Sequence, residues 1–285
     1  MINNHEYEII DYDDDINIID YINIPSYNMH LIPNNLLVST MTTEFDVGTI
    51  FISHNIYNYM HLEKNNIVAM KCTIGTRYLP GYDHISKSIY KNKKKLFYNQ
   101  ITIIMNISDD KFVNMKLFKD GSVHMTGTKN LIDANIAINK LTKKLKEKIR
   151  IKKNDDNNNE LKEIFFVADV NKIKITNFKI QLINSNFKIN FKINKETLHN
   201  LLNKHNILSR LTPKHSCVNI KYKITRDDVS TFVSIFIFQT GNIIITGAKN
   251  ANDIRDTYIF IVKFLHNNKQ SIIKKDITSL ITNII

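Results

Sequence analysis

Lys116-Leu-Phe-Lys-Asp-Gly-Ser-Val-His-Met-Thr-Gly-Thr-Lys-Asn130 and Phe236-Ile-Phe-Gln-Thr-Gly-Asn-Ile-Ile-Ile-Thr-Gly-Ala-Lys-Asn250 are two versions of one segment. They keep an offset of 120 residues, and Phe118/Phe238, Gly121/Gly241, Thr126/Thr246, Gly127/Gly247, Lys129/Lys249, Asn130/Asn250 and Asp133/Asp253 are identical without a gap. Shared composition does not produce such a register, so the chain carries an internal duplication. Each copy reads as a strand, a tight turn at the Gly, a second strand and a helix opened by Thr-Gly-x-Lys-Asn. Asn130 and Asn250 are the expected N-caps, each followed three residues later by an Asp near the positive end of the helix dipole. Leu131, Ile132, Ile136, Ile138, Leu141, Leu145 and Ile149 recur at helical spacing in the first copy, and Ile254, Tyr258, Ile261, Val262 and Leu265 in the second. Both helices are therefore amphipathic.

Outward from these segments, Gln100 to Ile107 and Val218 to Ile224 read as further strands, joined to the hairpins by polar turns at residues 108–110 and 226–228. Earlier still, each copy has a strand and a shorter helix: Leu36 to Thr42 with Val47 to Met60, and Ile173 to Ile193 with Glu196 to His205. Residues 152–160 are polar, charged and nearly devoid of apolar side chains. The expected organisation is an acidic tail (1–30), repeat 1 (31–150), a polar linker (151–160), repeat 2 (161–270) and a C-terminal tail (271–285). The element order predicts an α+β fold with helices on one face of a curved antiparallel sheet and the other face open.

Composition narrows the function. With 285 residues and 43% apolar content the chain can bury a substantial core. The excess of Ile, Asn and Lys reflects AT-rich codons. Net charge is +12, carried by 34 Lys and only 5 Arg, which favours a polyanion as partner: DNA, RNA or anionic membrane. The first thirty residues hold Glu6, Glu8, Asp11, Asp13, Asp14, Asp15 and Asp20 and no Lys or Arg, leaving +19 on the remainder. That tail is expected to be a disordered appendage, with docking across the basic face in competition with DNA as the alternative. It lacks the basic and apolar regions of a secretory signal. The longest apolar stretch, Phe232 to Phe238, is interrupted by Ser234 and too short to span a bilayer, so a soluble intracellular protein without a membrane partner is expected. Cys72 and Cys217 are expected to be reduced. The histidines show no ligand spacing, and no Walker loop, G-x-S-x-G or H-E-x-x-H motif occurs, so neither catalysis, cofactor, metal nor small-molecule substrate is expected.

The duplicated motif resembles the core domain of the TATA-box-binding protein family, a saddle built from two such repeats. Ile237-Phe238-Gln-Thr-Gly241 with Thr246-Gly-Ala-Lys249 carries the likeness in repeat 2, and Leu117-Phe118-Lys-Asp-Gly121 with Thr126-Gly-Thr-Lys129 carries it in repeat 1. Phe178-Lys-Ile-Gln181, running to Ile189-Asn-Phe-Lys-Ile193, and Leu37-Val-Ser-Thr-Met41 look like the first strands of the two repeats.

The resemblance implies binding in the DNA minor groove, where apolar wedges kink the duplex; this family is the standard illustration of that mode. Phe118 and Phe238 match one wedge of each repeat, Phe97 matches a second wedge in repeat 1, and near Ser216 or Cys217 the fourth has no aromatic counterpart. Where the family places an Asn and, two residues on, a Val at the centre, this chain has Leu36 and Val38, then Leu182 and Asn184. Thr126 and Thr246 match central polar contacts, with His124 and Ile244 beside them, and Lys129 and Lys249 match phosphate contacts. Lys143, Lys144, Lys146 and Arg150 match a helix that meets other transcription factors; without the resemblance they read as a solvated helix face. A monomeric initiation factor follows, with altered or relaxed TATA preference, partnered by AT-rich double-stranded DNA, a factor IIB-like protein and RNA polymerase. The alternative is a saddle-fold interaction or virion-packaged module without specific DNA recognition. A large AT-rich DNA virus is the expected source, which would place the protein in the host cytoplasm or the virion; a cellular source would place it in the nucleus.

Overall fold

The computed structural model describes residues 28–82, 99–109, 111–152, 161–211, 216–226 and 228–274. These form two units: one within 42–179, the other within 28–41 and 180–274.

Unit 1 contains β1 (Leu37–Asp46, from Thr42 onward), β2 (Ile67–Lys71), β3 (Thr76–Tyr78), β4 (Gln100–Ser108), β5 (Lys111–Phe118) and β6 (Ser122–Thr128), in the sheet order β1-β6-β5-β4-β2-β3. Helix α1 is Ser53–Tyr59 and α2 is Leu131–Lys146. Val113, Met115, Leu117, Val123 and Met125 are buried on one sheet face, and α2 buries Ala134, Ala137, Ile138, Leu141 and Leu145 over it. Each Val, Leu, Ile or Met among them contributes roughly 1.5–3 kcal/mol by leaving water.

Unit 2 repeats the plan. It contains β9 (Thr176–Lys188, from Ile180 onward), β10 (Ser209–Leu211), β11 (Cys217–Arg226), β12 (Val229–Phe238) and β13 (Asn242–Ala248), in the order β9-β13-β12-β11-β10. Helix α3 is Lys195–Lys204 and α4 is Ala251–Asn267. Ile235, Ile237, Ile243 and Ile245 face Ile254, Ile261 and Leu265 of α4 in the core. In both units the first strand lies beside the last and the intervening strands run back as an antiparallel meander. This is the α+β arrangement expected from the duplication.

Several elements go beyond the sequence reading. Strands β2, β3 and β10 extend the meanders, and β7 (Ile149–Lys152) pairs with β8 (Leu161–Ile164) in a separate ribbon. Ile149, read as the last periodic position of the first long helix, instead enters β7 opposite Ile164, because α2 stops at Lys146 and the chain turns at Glu147. Residues 153–160 of the expected linker lie outside the described residues. Beyond them, Phe166 and Val167 are buried in unit 1, where Val167 bridges to Phe51 and the Phe166 carbonyl accepts from the Ile52 amide.

The strand-to-helix turns behave as the spacing requires. Asn130 Oδ1 accepts from the Asp133 amide at 2.7 Å, and Asn250 Oδ1 from the Asp253 amide at 2.8 Å. The Asp133 carboxylate accepts in return from the Lys129 amide, closing a reciprocal cap. Gly127 and Gly247 have φ of +106° and +97°, a region that side chains with a Cβ avoid.

Candidate nucleic-acid interface

Strand alternation divides each sheet into the face under the helices and an open face. In unit 1 the residues between the buried Val113, Met115 and Leu117 are Phe112, Asn114, Lys116 and Phe118. Lys116 stands across from His124, and Asn114 across from Thr126, so His124 and Thr126 lie on the same open face, both exposed. In unit 2 the register pairs Phe236 with Ile244 and Ser234 with Thr246, then Ile244 with Asn186. Phe238, Ile244 and Thr246 thus share a half-exposed face with Leu182 and Asn184.

Phe118 and Phe238 hold the same place in the two units. Each ends its strand just before the hairpin, and its carbonyl accepts the amide of the turn glycine, Gly121 at 2.9 Å and Gly241 at 3.0 Å. The rings are half-exposed. Phe118 meets the His124 ring edge-on, with centroids 4.9 Å apart. Cys217 lies directly across from Phe238 and is buried, and that burial raises its thiol pKa. Phe97 lies outside the described residues.

The central positions need a correction. Leu36 is buried, with 4% of its surface exposed, and so presents no side chain to a ligand; its amide closes a turn on the Pro33 carbonyl. Val38 is half-exposed. Asn184 is held in place: its Oδ1 accepts the Thr246 hydroxyl, and its backbone carbonyl accepts the Ser39 hydroxyl at 3.1 Å. With Oδ1 engaged, the amide turns its Nδ2 donors toward other acceptors. Sequence reasoning placed Asn184 on this face but not its link to Thr246, which joins residues 62 positions apart.

The two open faces differ in charge. In unit 1, Glu44 Oε1 lies 3.6 Å from His124 Nε2, bringing a carboxylate beside Phe118 and Thr126. In unit 2, β9 to β13 contain no Asp or Glu, while Lys188, Arg210, Lys221 and Lys223 are exposed. Lys129 and Lys249 are exposed at the turns that open α2 and α4.

The cationic run on α2 also needs a correction. Lys144 is only 3% exposed and forms ion pairs with Glu63 and with Glu147, the latter at 2.8 Å, so it is not a surface contact. Its position is buried because the helix turns it toward Glu63, 81 residues earlier in the chain. Lys143 and Lys146 are half-exposed. Arg150 lies on β7 rather than on the helix, and pairs with Glu163 at 3.3 Å. Among the described residues no group of three or more His, Cys, Asp or Glu could hold a metal ion, and no helix is long and apolar enough to cross a membrane.

An antiparallel sheet built twice on one plan, with an open face carrying matched Phe and Thr, is the arrangement implied by the resemblance to the TATA-box-binding protein, and the likeness extends along most of the chain. The chain is 38% identical over 251 residues to a protein of Acanthamoeba polyphaga mimivirus named TATA-box-binding protein-like; the match covers 81% of this chain and 65% of that protein. Among solved structures, Methanococcus jannaschii TBP aligns with a TM-score of 0.49 and 17% identity, covering 82% of this chain and 99% of that one. No family model matches the chain.

Proposed function

We propose that the chain is a transcription initiation factor that binds and bends AT-rich promoter DNA through the minor groove. The observation that carries this reading is the matched placement of Phe118 and Phe238, half-exposed at the same strand end of both units, each on a face that also carries a central threonine. The rings act as wedges between base steps. Thr126, Thr246 and the Nδ2 donors of Asn184 meet base edges, while Val38, Leu182, Ile244 and His124 shape the contact. Lys129 and Lys249, with Phe97 as a further wedge, complete the expected contact set. Asn184 supplies donors in repeat 2 where Val38, its counterpart in repeat 1, supplies none, so discrimination of A·T from G·C is unequal along the site. The homologue's name supports this class of activity. We further propose recruitment of a factor IIB-like protein and RNA polymerase, with Lys143, Lys146 and Arg150 as contacts, and a viral setting in the host cytoplasm or virion.

Binding and bending of TATA-containing and scrambled duplexes, across a salt series, test the reading. Phe118→Ala with Phe238→Ala should abolish bending while leaving salt-dependent association. If wild type bends neither duplex and the double substitution changes nothing, the wedge mechanism fails. Glu44 favours a second reading, an interaction module without specific recognition, because its carboxylate would face phosphate; binding to neither duplex would select it.

A further inference from the structure

Phe112 and Phe232 are a further identical pair at the same offset, and the two copies differ in what packs beside the ring. In unit 1, Leu79 and Tyr82 pack with Phe112 on Val68, Ala69 and Ile104. The Tyr82 ring meets that of Phe112 edge-on, with centroids 5.9 Å apart. The cover is a turn, Leu79-Pro-Gly-Tyr82, closed by the Tyr82 amide on the Leu79 carbonyl at 3.1 Å. An aliphatic and an aromatic side chain three residues apart therefore share one apolar cluster with this phenylalanine, the aromatic one meeting its ring.

In unit 2, Phe232 is 55% exposed. It stands directly across from Lys223, and Lys221, on the same face, donates to Ser234 at 2.6 Å. The strands around it contain no carboxylate. An apolar ring flanked by lysines calls for an occupant that is both apolar and acidic.

The chain contains such a segment. Ile9-Ile10-Asp11-Tyr12 and Ile18-Ile19-Asp20-Tyr21 are one tetrapeptide repeated nine residues on, each placing an aliphatic and an aromatic side chain three residues apart, as Leu79 and Tyr82 are. Glu6, Glu8, Asp13, Asp14 and Asp15 surround them, with no Lys or Arg in the first thirty residues. We infer that an Ile-Ile-Asp-Tyr segment docks over Phe232, its isoleucine and tyrosine against the ring and its carboxylates toward Lys221 and Lys223. The occupant is the chain's own acidic N-terminus, from the same molecule or a second copy. Docking occurs in the free protein and does not depend on DNA binding, so its failure and the failure of the proposed function are separate results.

The test uses the full-length chain with p-benzoylphenylalanine in place of Phe232, irradiated without DNA, and crosslinks mapped by mass spectrometry. The expected crosslinks fall within residues 6–21. Tyr12→Ser with Tyr21→Ser, or Lys221→Ser with Lys223→Ser, should lower their yield about tenfold, the effect of losing an anchoring aromatic or its charge partners. Crosslinks within one chain assign the segment to the same molecule; crosslinked dimers that grow with concentration assign it to a second copy. The same photoreactive group at position 112 should capture Leu79 or Tyr82 and shows that the method reports a cover. Crosslinks that map elsewhere, no crosslinks at position 232 while position 112 reacts, or yields indifferent to the tyrosine substitutions overturn the inference.

Discussion

Thr246 donates its hydroxyl hydrogen to Oδ1 of Asn184 on the neighbouring strand of unit 2. That bond fixes which end of the amide is engaged, so under the proposed function it bears on base readout as well as on stability. Thr246→Val should let the amide rotate, and Asn184→Leu should remove its donors. Both should narrow the preference for A·T over G·C in competition binding, Asn184→Leu by about tenfold, within the usual range for losing a base contact. Unchanged preference in both variants would show that the amide does not reach the bases.

On the unit 1 face, the Glu44 carboxylate lies beside His124, where it would repel phosphate in the proposed complex. Glu44→Gln should tighten DNA binding about threefold at low ionic strength, with the gain shrinking as salt screens the charge. Titrations at two salt concentrations check this. Weaker binding by the variant would instead mean that Glu44 holds His124 against Phe118 in a conformation that binding needs.

These features differ in how far the sequence exposed them. The glycine turns, the Asn130 and Asn250 caps and the shared face of Phe118, His124 and Thr126 follow from spacing within a few residues, and the duplication supplies each of them twice. Ile149 misled because an apolar residue at that position satisfies both a continuing helix and a new strand. Strands β3 and β10, with three residues each, are too short for alternation to declare them. Leu36 turned inward because the chain enters β1 from a turn, which local alternation does not reveal. Lys144 looks like one of many solvated cations until Glu63, distant in sequence, is placed beside it.

The glycine pair gives an internal comparison of strain. A Cβ on Gly127 would lie 2.8 Å from the Phe112 carbonyl oxygen, whereas one on Gly247 would lie 3.4 Å from that of Phe232. Both backbones have positive φ, so both substitutions are strained. Gly247→Ala should cost about 1 kcal/mol and Gly127→Ala about 2–3 kcal/mol, the excess arising from the backbone clash. Denaturant unfolding of the two variants checks the order. Equal losses would show that the dihedral angle alone sets the penalty.

Lys144 carries the clearest stability prediction. Burial disfavours its charge, but hydrogen bonds and attraction from Glu147 and Glu63 outweigh that, and its pKa is raised above 10.5. Lys144→Met would leave the buried Glu147 without this counterion and should destabilise the protein by about 3 kcal/mol, as removing one partner of a buried pair does. Lys144→Met with Glu147→Gln should recover part of that loss, since no unpaired charge then remains buried at these two positions. Because the folded pKa lies above the unfolded one, the contribution is fully present below pH 10.5 and is lost as pH rises through the folded value. Thermal melting of wild type and Lys144→Met from neutral to strongly alkaline pH should therefore show the two curves converging only above pH 10.5. Convergence near neutral pH would mean that the ammonium is not held charged by Glu63 and Glu147.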